Sequence, residues 1–255
     1  MKIARSGAVS VGVAAAVMLL AGCVTTRSPH LSDTHAEADA AADNVQLAMA
    51  YIQEGNLARA KEKLDRAMRE DAANPNLHSV YALFYERIND QKKAEGEFHE
   101  ALRLAPGDPG QLNFYAVYLC RQHRVDEGVT KMLQVANNPL YRTPEAAYDN
   151  IGVCLRTVHR DDEAESAFRR ALLARPDYAE AAYQLADTEF EHGRALEARN
   201  IIEKFLKENN PTPDLLLLAY RASRILGDER SAAQYAKTLR AEFPNSEQMR
   251  SLSAR

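Results

Sequence analysis

The stretch from Glu145 to Tyr178, EAAYDNIGVCLRTVHRDDEAESAFRRALLARPDY, decides the fold of this protein. Two sets of apolar or small residues recur in it at helical spacing. They are Tyr148, Ile151, Gly152 and Leu155 in the first half, and Ala164, Phe168, Ala171 and Leu172 in the second. A polar turn separates the two predicted helices, and Pro176 ends the second because proline lacks a backbone donor. A pair of such short helices cannot bury its apolar face alone, so it must stack on copies of itself.

Copies of this unit fill most of the chain. They begin at Ala41, Pro75, Pro109, Glu145, Ala179 and Pro213, 34 residues apart except for an interval of 36 before Glu145. The eighth residue is small in five units: Ala48, Ala82, Ala116, Gly152 and Ala186, with Tyr220 in the sixth. The twentieth is small in all six: Ala60, Ala94, Gly128, Ala164, Ala198 and Ala232. This pattern resembles the tetratricopeptide repeat and predicts an all-α, right-handed superhelix of six helix pairs. An irregular helical bundle is the alternative, which agreement among six units disfavours.

The predicted domain organisation follows from these boundaries. It comprises a signal peptide (1–22), a lipidated cysteine with a flexible tether (23–40), six units (41–74, 75–108, 109–144, 145–178, 179–212 and 213–246) and a C-terminal tail (247–255). The tether is predicted because few large apolar residues occur there. The tail is expected to fray. The third unit holds two extra residues in the segment NNPLYRTP, which we expect to be a structured loop because it contains apolar residues and two prolines.

The N-terminus has the features of a secretory signal. Lys2 and Arg5 precede an apolar run over residues 8–21, which is too short for a membrane span. The following Leu20-Ala21-Gly22-Cys23 resembles a bacterial lipobox. The resemblance implies that Cys23 receives a diacylglycerol and, after cleavage, an acyl chain on its new amine, with no other cofactor. Val24 in place of aspartate implies the outer membrane, on its periplasmic face. An ordinary cleaved signal with a coincidental cysteine is the alternative.

Composition and motifs disfavour several classes of function. The formal net charge is −4, and it becomes −6 without Lys2 and Arg5 because residues 1–22 contain no acid, so neither nucleic acid nor an anionic surface is an expected partner. The chain has no glycine-rich phosphate loop, no H-E-x-x-H and no G-x-S-x-G. His123, His159 and His192 fall in predicted turns, where a solvated histidine is the ordinary interpretation. We therefore expect no catalytic residue, no metal site and no small-molecule substrate.

Cys120 and Cys154 fall in the first helices of neighbouring units. An oxidising periplasm permits a disulfide, which requires Cα atoms within about 7 Å. Helices that pack with axes about 8–10 Å apart allow facing residues to meet that condition. A bridge here would join the third and fourth units. The alternative is that both residues are buried free thiols that behave as small apolar side chains.

A binding groove is the main functional expectation. In tetratricopeptide arrays the first helices line a concave groove, mainly through positions 2, 5, 9, 12 and 13 of each unit. The candidate partner-binding residues at such positions are Met49, Ile52, Leu83, Arg87, Asn113, Val117, Arg121, Asp149, Val153 and Arg156. The groove is then apolar at its start, basic in the middle and acidic in the fifth unit, which suits a peptide with mixed apolar and charged residues. The alternative is that some of these charges pair with each other across repeats.

Four stretches resemble one family more specifically than the repeat period does. They are residues Leu47–Met68, Leu112–Gly128, Asn138–Cys154 and Leu215–Gln248. Together with the lipobox they resemble the type IV pilus biogenesis lipoproteins called PilF or PilW, the pilotins of the pilus secretin. The resemblance implies a lipoprotein that binds the secretin and promotes its outer-membrane localisation and multimerisation. Pilus formation and twitching motility depend on that step. A general periplasmic adaptor for cell-envelope machinery is the alternative function.

Overall fold

The computed structural model describes residues 31–253, and within that range it contains thirteen α-helices and no β-strand. Twelve of the helices form six antiparallel pairs. The pairs are α1 (Leu31–Gln53) with α2 (Leu57–Glu70), α3 (Pro75–Arg87) with α4 (Gln91–Leu104), α5 (Pro109–Arg121) with α6 (Val125–Ala136), α7 (Pro144–Arg156) with α8 (Asp161–Ala174), α9 (Ala179–Glu191) with α10 (Ala195–Leu206), and α11 (Pro213–Ile225) with α12 (Glu229–Glu242). The last helix, α13, spans Glu247–Ser253. The prediction of six stacked helix pairs is therefore confirmed.

Helix starts follow from local sequence. Proline occupies the first turn of α3, α5, α7 and α11, where its missing N–H has no helical acceptor to lose. The side chains of Asn74, Asp108 and Thr212 accept hydrogen bonds from free N–H groups of α3, α5 and α11. Each first helix contacts the second helix of its own unit and the first helix of the next. This nearest-neighbour stacking brings the first helices side by side.

The core consists of the small and apolar residues of the repeat. Every small residue predicted at the eighth and twentieth positions is buried, whereas Tyr220 is half-buried and Ala219 takes the buried place beside it. In the fourth unit, Gly152 lies directly against the fully buried ring of Phe168. The small residue thus lets α7 and α8 approach each other closely enough to enclose this large side chain.

Replacing Gly152 by alanine should overpack this contact. A Cβ at residue 152 would lie 2.4 to 2.7 Å from three ring atoms of Phe168, which has no exposed surface into which to move. We expect Gly152→Ala to lower the free energy of unfolding by about 1–3 kcal/mol. Gly96 in α4 is the control, since a Cβ there meets nothing within 4 Å. Gly96→Ala should stabilise by about 0.5–1 kcal/mol in chemical denaturation, and equal effects of the two changes would contradict this packing.

The turn within each helix pair has one residue in the left-handed backbone region. All six lie at the fifteenth position of their units, with φ between 58° and 75°: Gly55, Asn89, His123, His159, Gly193 and Gly227. Glycine adopts this conformation without steric cost, and asparagine tolerates it, but histidine does so unfavourably. The turn therefore imposes a left-handed backbone on His123 and His159. Both side chains are exposed, as predicted.

We expect His159→Gly to raise the free energy of unfolding by about 0.5–1 kcal/mol, because glycine removes the cost of a left-handed backbone at that residue. The matched control is Gly193→Ala at the same position of the next unit, where a Cβ meets no atom within 4 Å. That change should destabilise by about 1 kcal/mol through the backbone alone. Thermal unfolding of both variants checks the pair, and shifts of the same sign would refute the explanation.

Both ends of the array differ from expectation. The predicted tether 23–40 is wrong for residues 31–40, which belong to α1 and extend it before the first unit. Alanine and glutamate favour helix, and the packed part of α1 supports that extension. The tail predicted to fray contains α13, in which Met249 is 6 % exposed and packs with Leu216 and Leu239. Here α13 covers the last pair as a further first helix would, because an end unit needs its apolar face closed.

The predicted signal peptide and the lipidated Cys23 lie outside the described residues. Between residues 31 and 253, no helix is long and apolar enough to cross a membrane.

Candidate functional site

The first part of the groove lies between the first three units and contains five of the ten predicted residues. Met49, Ile52, Leu83, Arg87 and Arg121 line an open cavity of about 600 Å³. Ile52 is only 3 % exposed and forms part of the apolar floor, whereas Arg87 is exposed at the end of α3. The sequence predicted that the groove starts with an apolar surface. That surface is present, and arginine side chains line one side of it.

A neighbouring cavity of about 420 Å³ extends this apolar surface toward the N-terminal end of α1. Its lining includes Val45, Met49, Val80 and Phe114, so that Met49 belongs to both cavities. Phe114 was not predicted as a groove residue, because it occupies the sixth position of its unit, outside the usual groove positions. We call the two cavities together the apolar groove.

The arginines of the groove differ in how far their charge is already neutralised. Arg121 donates two hydrogen bonds to Glu86 of the preceding unit, with both nitrogen–oxygen distances 2.7 Å. Arg87 has no ion-pair partner among the residues that the structure describes. The alternative of pairing across repeats thus applies to Arg121, and Arg87 remains the cation available to a partner in the apolar groove.

The middle of the groove is polar. Asn113 and Val117 are half-buried on α5, and the side-chain amide of Asn150 donates to Asn113 Oδ1 over 3.3 Å. Asn150 was not predicted as a groove residue, because it also falls at the sixth position of its unit. These side-chain amides lie between the third and fourth units. They can donate hydrogen bonds to, and accept them from, the backbone of a bound peptide.

The next part of the groove, between the fourth and fifth units, is polar and acidic. Val153 and Arg156 line a cavity of about 490 Å³ with Gln184, Glu191 and His192. Arg156 donates to Gln184 at 2.8 Å, to Asp187 at 3.0 Å and to Glu191 at 2.7 Å. The charge of Arg156 is therefore neutralised by carboxylates of the following unit, and the contacts include more acidic than basic side chains. We call this region the acidic groove.

Asp149 was predicted as a contact residue but is 6 % exposed at the floor of the groove. Its Oδ1 is buried and meets no hydrogen-bond donor in the described part of the chain. Burial, and to a lesser degree the nearby carboxylate of Glu180, raises the pKa of Asp149 to about 7. The repeat spacing predicts the position of this residue on α7 but not its burial, which depends on how neighbouring helices pack.

The last units add a surface that was not predicted from the sequence. Phe190, Tyr220, Arg221 and Ile225 line an open cavity of about 670 Å³, and Ile225 is 67 % exposed. The sequence signal for it is Tyr220, which replaces a small residue at the eighth position and whose ring is half-buried in this cavity.

A disulfide joins Cys120 and Cys154, with their Cα atoms 5.5 Å apart. It links the C-terminal end of α5 to the C-terminal end of α7, the first helices of the third and fourth units. A Cβ on Gly128 would lie 2.5 Å from the sulfur of Cys120 and 2.8 Å from the carbonyl oxygen of Ala116. Glycine replaces the usual alanine at this twentieth position because the bridged sulfur occupies that space.

The extra loop itself is ordered by an Asx turn. The amide of Leu140 donates to Asn138 Oδ1 at 2.9 Å, and the amide of Tyr141 donates to the Asn138 carbonyl at 3.0 Å. Leu140 is nevertheless 83 % exposed, so its apolar character does not serve to anchor the loop.

The histidines that the structure describes do not assemble into a ligand set. His192 lies 3.0 Å from Asp161, and the buried His78 contacts Glu97 at 2.7 Å and the carbonyl of Ala72 at 3.0 Å. The contact with Glu97 is the main cause of a raised pKa at His78. Within residues 31–253, no group of three or more His, Cys, Asp or Glu side chains is placed to hold a metal ion.

The stacked helix pairs and their concave groove define a tetratricopeptide-repeat protein. The family model described as tetratricopeptide repeat matches residues 45–109 and 160–213. The superhelical arrangement agrees with solved proteins of this fold.

The chain is also homologous to the PilF and PilW proteins of type IV pilus biogenesis. It is 27% identical over 238 residues to the type IV pilus assembly protein PilF of Pseudomonas aeruginosa, which covers 91% of this chain and 94% of the relative. The crystal structure of PilW, described as a widely conserved type IV pilus biogenesis factor, matches with a TM-score of 0.63 and 28% identity over 83% of this chain and 97% of that one. A solved structure of Pseudomonas aeruginosa PilF matches with a TM-score of 0.60 and 24% identity over 86% of this chain and 99% of that one, which supports the fold.

Proposed function

We propose that this protein is an outer-membrane lipoprotein that binds the type IV pilus secretin and promotes its localisation to the outer membrane and its multimerisation. Homology to PilF and PilW over most of the chain supports a role in pilus biogenesis. Twitching motility would then depend on it. The repeat fold favours a binding role without catalysis.

The observation that carries this proposal is the apolar groove with its unpaired cation. Leu83 and Met49 provide an apolar surface between neighbouring units, and Arg87 stands at its edge without an internal ion pair in the described range. The apolar side chains of a secretin segment would cover Leu83 and Met49, and an acidic residue of the same segment would pair with Arg87. An anchor on Cys23 would hold the groove at the inner surface of the outer membrane.

Reversing the charge of Arg87 should weaken the binding of the secretin. We expect Arg87→Glu to lower the affinity of the detergent-solubilised full-length protein for the periplasmic region of the secretin from the same bacterium by about tenfold or more. Titration calorimetry at two salt concentrations measures the effect.

Arg103→Glu is the matched control because Arg103 lies on α4, is exposed and pairs with Glu100 of its own helix. It makes the same change in net charge away from the first helices. Equal loss of affinity in both variants would point to long-range electrostatics instead of the groove. Unchanged affinity with Arg87→Glu would contradict the assignment of this surface, and failure of the wild-type protein to bind would contradict the secretin as partner.

A further inference from the structure

A buried carboxyl group without a hydrogen bond in the described part of the chain lies beside the acidic groove. Asp149 is on the face of α7 that lines the groove, one turn before Val153. The residue is 6 % exposed, and no donor in the described part of the chain reaches its Oδ1. A buried polar atom without a hydrogen bond is costly, and such atoms in folded proteins call for a physical explanation.

The neighbours of Asp149 do not supply the missing charge. Tyr178, the last residue of the same unit, and Glu180 of the following unit are close enough to interact with it electrostatically, and Glu180 is a second carboxylate. Arg175, which lies over the Tyr178 ring at 4.4 Å, pairs with Glu145 at 2.9 Å. That guanidinium is therefore already engaged.

Farther along the groove the balance of charge remains negative. Arg156 is shared between Asp187 and Glu191, and among the described residues Glu180 accepts a hydrogen bond only from the neutral amide of Gln184. In and beside the acidic groove, carboxyl groups thus outnumber the one arginine. Arg221, an exposed cation of the last unit, lies near Tyr183. An anionic side chain would be repelled by this region, whereas a cation would be attracted to it.

We propose that Asp149 forms the floor of a subsite for a lysine or arginine side chain of the polypeptide that lies in the groove. The bound cation would donate to Oδ1 and replace the water that Asp149 has lost, while its charge is shared with Glu180. The inference rests on the proposed function, because it assumes that a partner segment runs along the first helices. Together with Arg87 it gives the groove a direction: an acidic residue of the ligand lies near the third helix and a basic residue near the seventh.

The subsite can be tested without the secretin. Dodecapeptides selected from a random phage library on the immobilised full-length protein serve as the probe, and the affinity of the best peptide is measured for three proteins. These are the wild type, Asp149→Asn and, as the control, Asp162→Asn, which makes the same change at an exposed residue on α8. We expect one basic residue at a fixed position in the selected peptides.

Asp149→Asn should weaken peptide binding about tenfold, and so should replacing that basic residue by alanine, while the two changes together should weaken it no further. Asp162→Asn should leave the affinity unchanged. The inference is overturned if the selection yields no peptide, if the peptides lack a basic residue, or if Asp149→Asn binds like the wild type. Circular dichroism of each variant verifies folding.

The periplasmic region of the secretin is then titrated in parallel. Binding of the wild type that falls with Asp149→Asn supports both the proposed function and the subsite. If the secretin does not bind the wild type, the proposed partner is wrong, and the peptide measurement alone decides whether the cation subsite exists.

Discussion

Replacing both Cys120 and Cys154 by alanine is expected to lower the free energy of unfolding by about 4 kcal/mol. The bridge closes a loop of 34 residues, and loop-closure entropy in the unfolded chain predicts a loss of that size. Denaturant unfolding of the double variant and of the wild type checks this value. Reduction of the wild type should reproduce most of the effect and should not change the variant.

Because of where this disulfide lies, its loss should weaken one contact between units as well as lower the free energy of unfolding of the whole chain. It joins α5 and α7, where the two extra residues interrupt the regular spacing of units. Because each unit contacts only its neighbours, loosening this contact should separate the unfolding of the first three units from that of the last three. Hydrogen exchange would then show two cooperative blocks. Identical stability with and without reductant would contradict a bridge in the folded protein.

The second large effect is expected at Asp149. Burial and Glu180 raise the pKa of this carboxyl group to about 7, against about 3.9 in an unfolded chain. Between these values the folded state keeps a proton that the unfolded state has released, so the free energy of unfolding falls as the pH rises from about 4 to 7. The loss reaches at most about 4 kcal/mol at pH 8. Asp149→Asn should remove it and therefore stabilise the protein at pH 8 but not at pH 4.

Asp65 provides a control of opposite sign. Burial alone would raise its pKa, but hydrogen bonds from Lys61 and Tyr81 outweigh burial and lower it. A lowered carboxyl pKa stabilises the fold above the unfolded value, and that contribution is lost as the pH falls. Asp65→Asn should therefore destabilise at pH 8. The difference in melting temperature between each variant and the wild type is measured from pH 4 to 8. At pH 8 it should be positive for Asp149→Asn and negative for Asp65→Asn. A pH-independent difference for Asp149→Asn would disprove the account.

If Asp149→Asn stabilises the protein and also weakens peptide binding, the buried, unpaired carboxyl group serves ligand binding at the expense of stability. A group that costs stability in the free protein can be retained when its partner is supplied by a ligand. Opposite effects on folding and binding are not expected of a residue that serves only the structure.

The repeat pattern was sufficient to predict the helix pairs, because the small residues and turns recur in every unit. The eighth-position residues Ala48 and Ala82 are buried as the spacing requires, and the turn after each first helix falls where the polar residues predicted it. The ends were less predictable. A helix such as α13 has only Met249 and Leu252 as apolar residues, and its formation depends on the apolar face of the last pair.

The groove was predictable in position but not in its charge. The periodic positions identified Met49, Leu83 and Arg87 on the concave side. They did not reveal that Glu86 neutralises Arg121, or that Asp187 and Glu191 neutralise Arg156, because those contacts depend on side-chain conformations between units. Of the three arginines predicted along the middle of the groove, Arg87 alone is thus without an ion pair in the described range. The burial of Asp149 likewise follows from helix packing that spacing alone does not determine.

The proposed function requires both a lipid anchor on Cys23 and a groove that holds the secretin. The most direct measurement uses a strain whose only copy of the gene carries Cys23→Ala. The membranes are fractionated, and an unheated gel locates the heat-stable secretin multimers. The account predicts that these multimers disappear or collect in the inner membrane. Multimers at the normal level in the outer membrane, with the variant protein soluble in the periplasm, would contradict it.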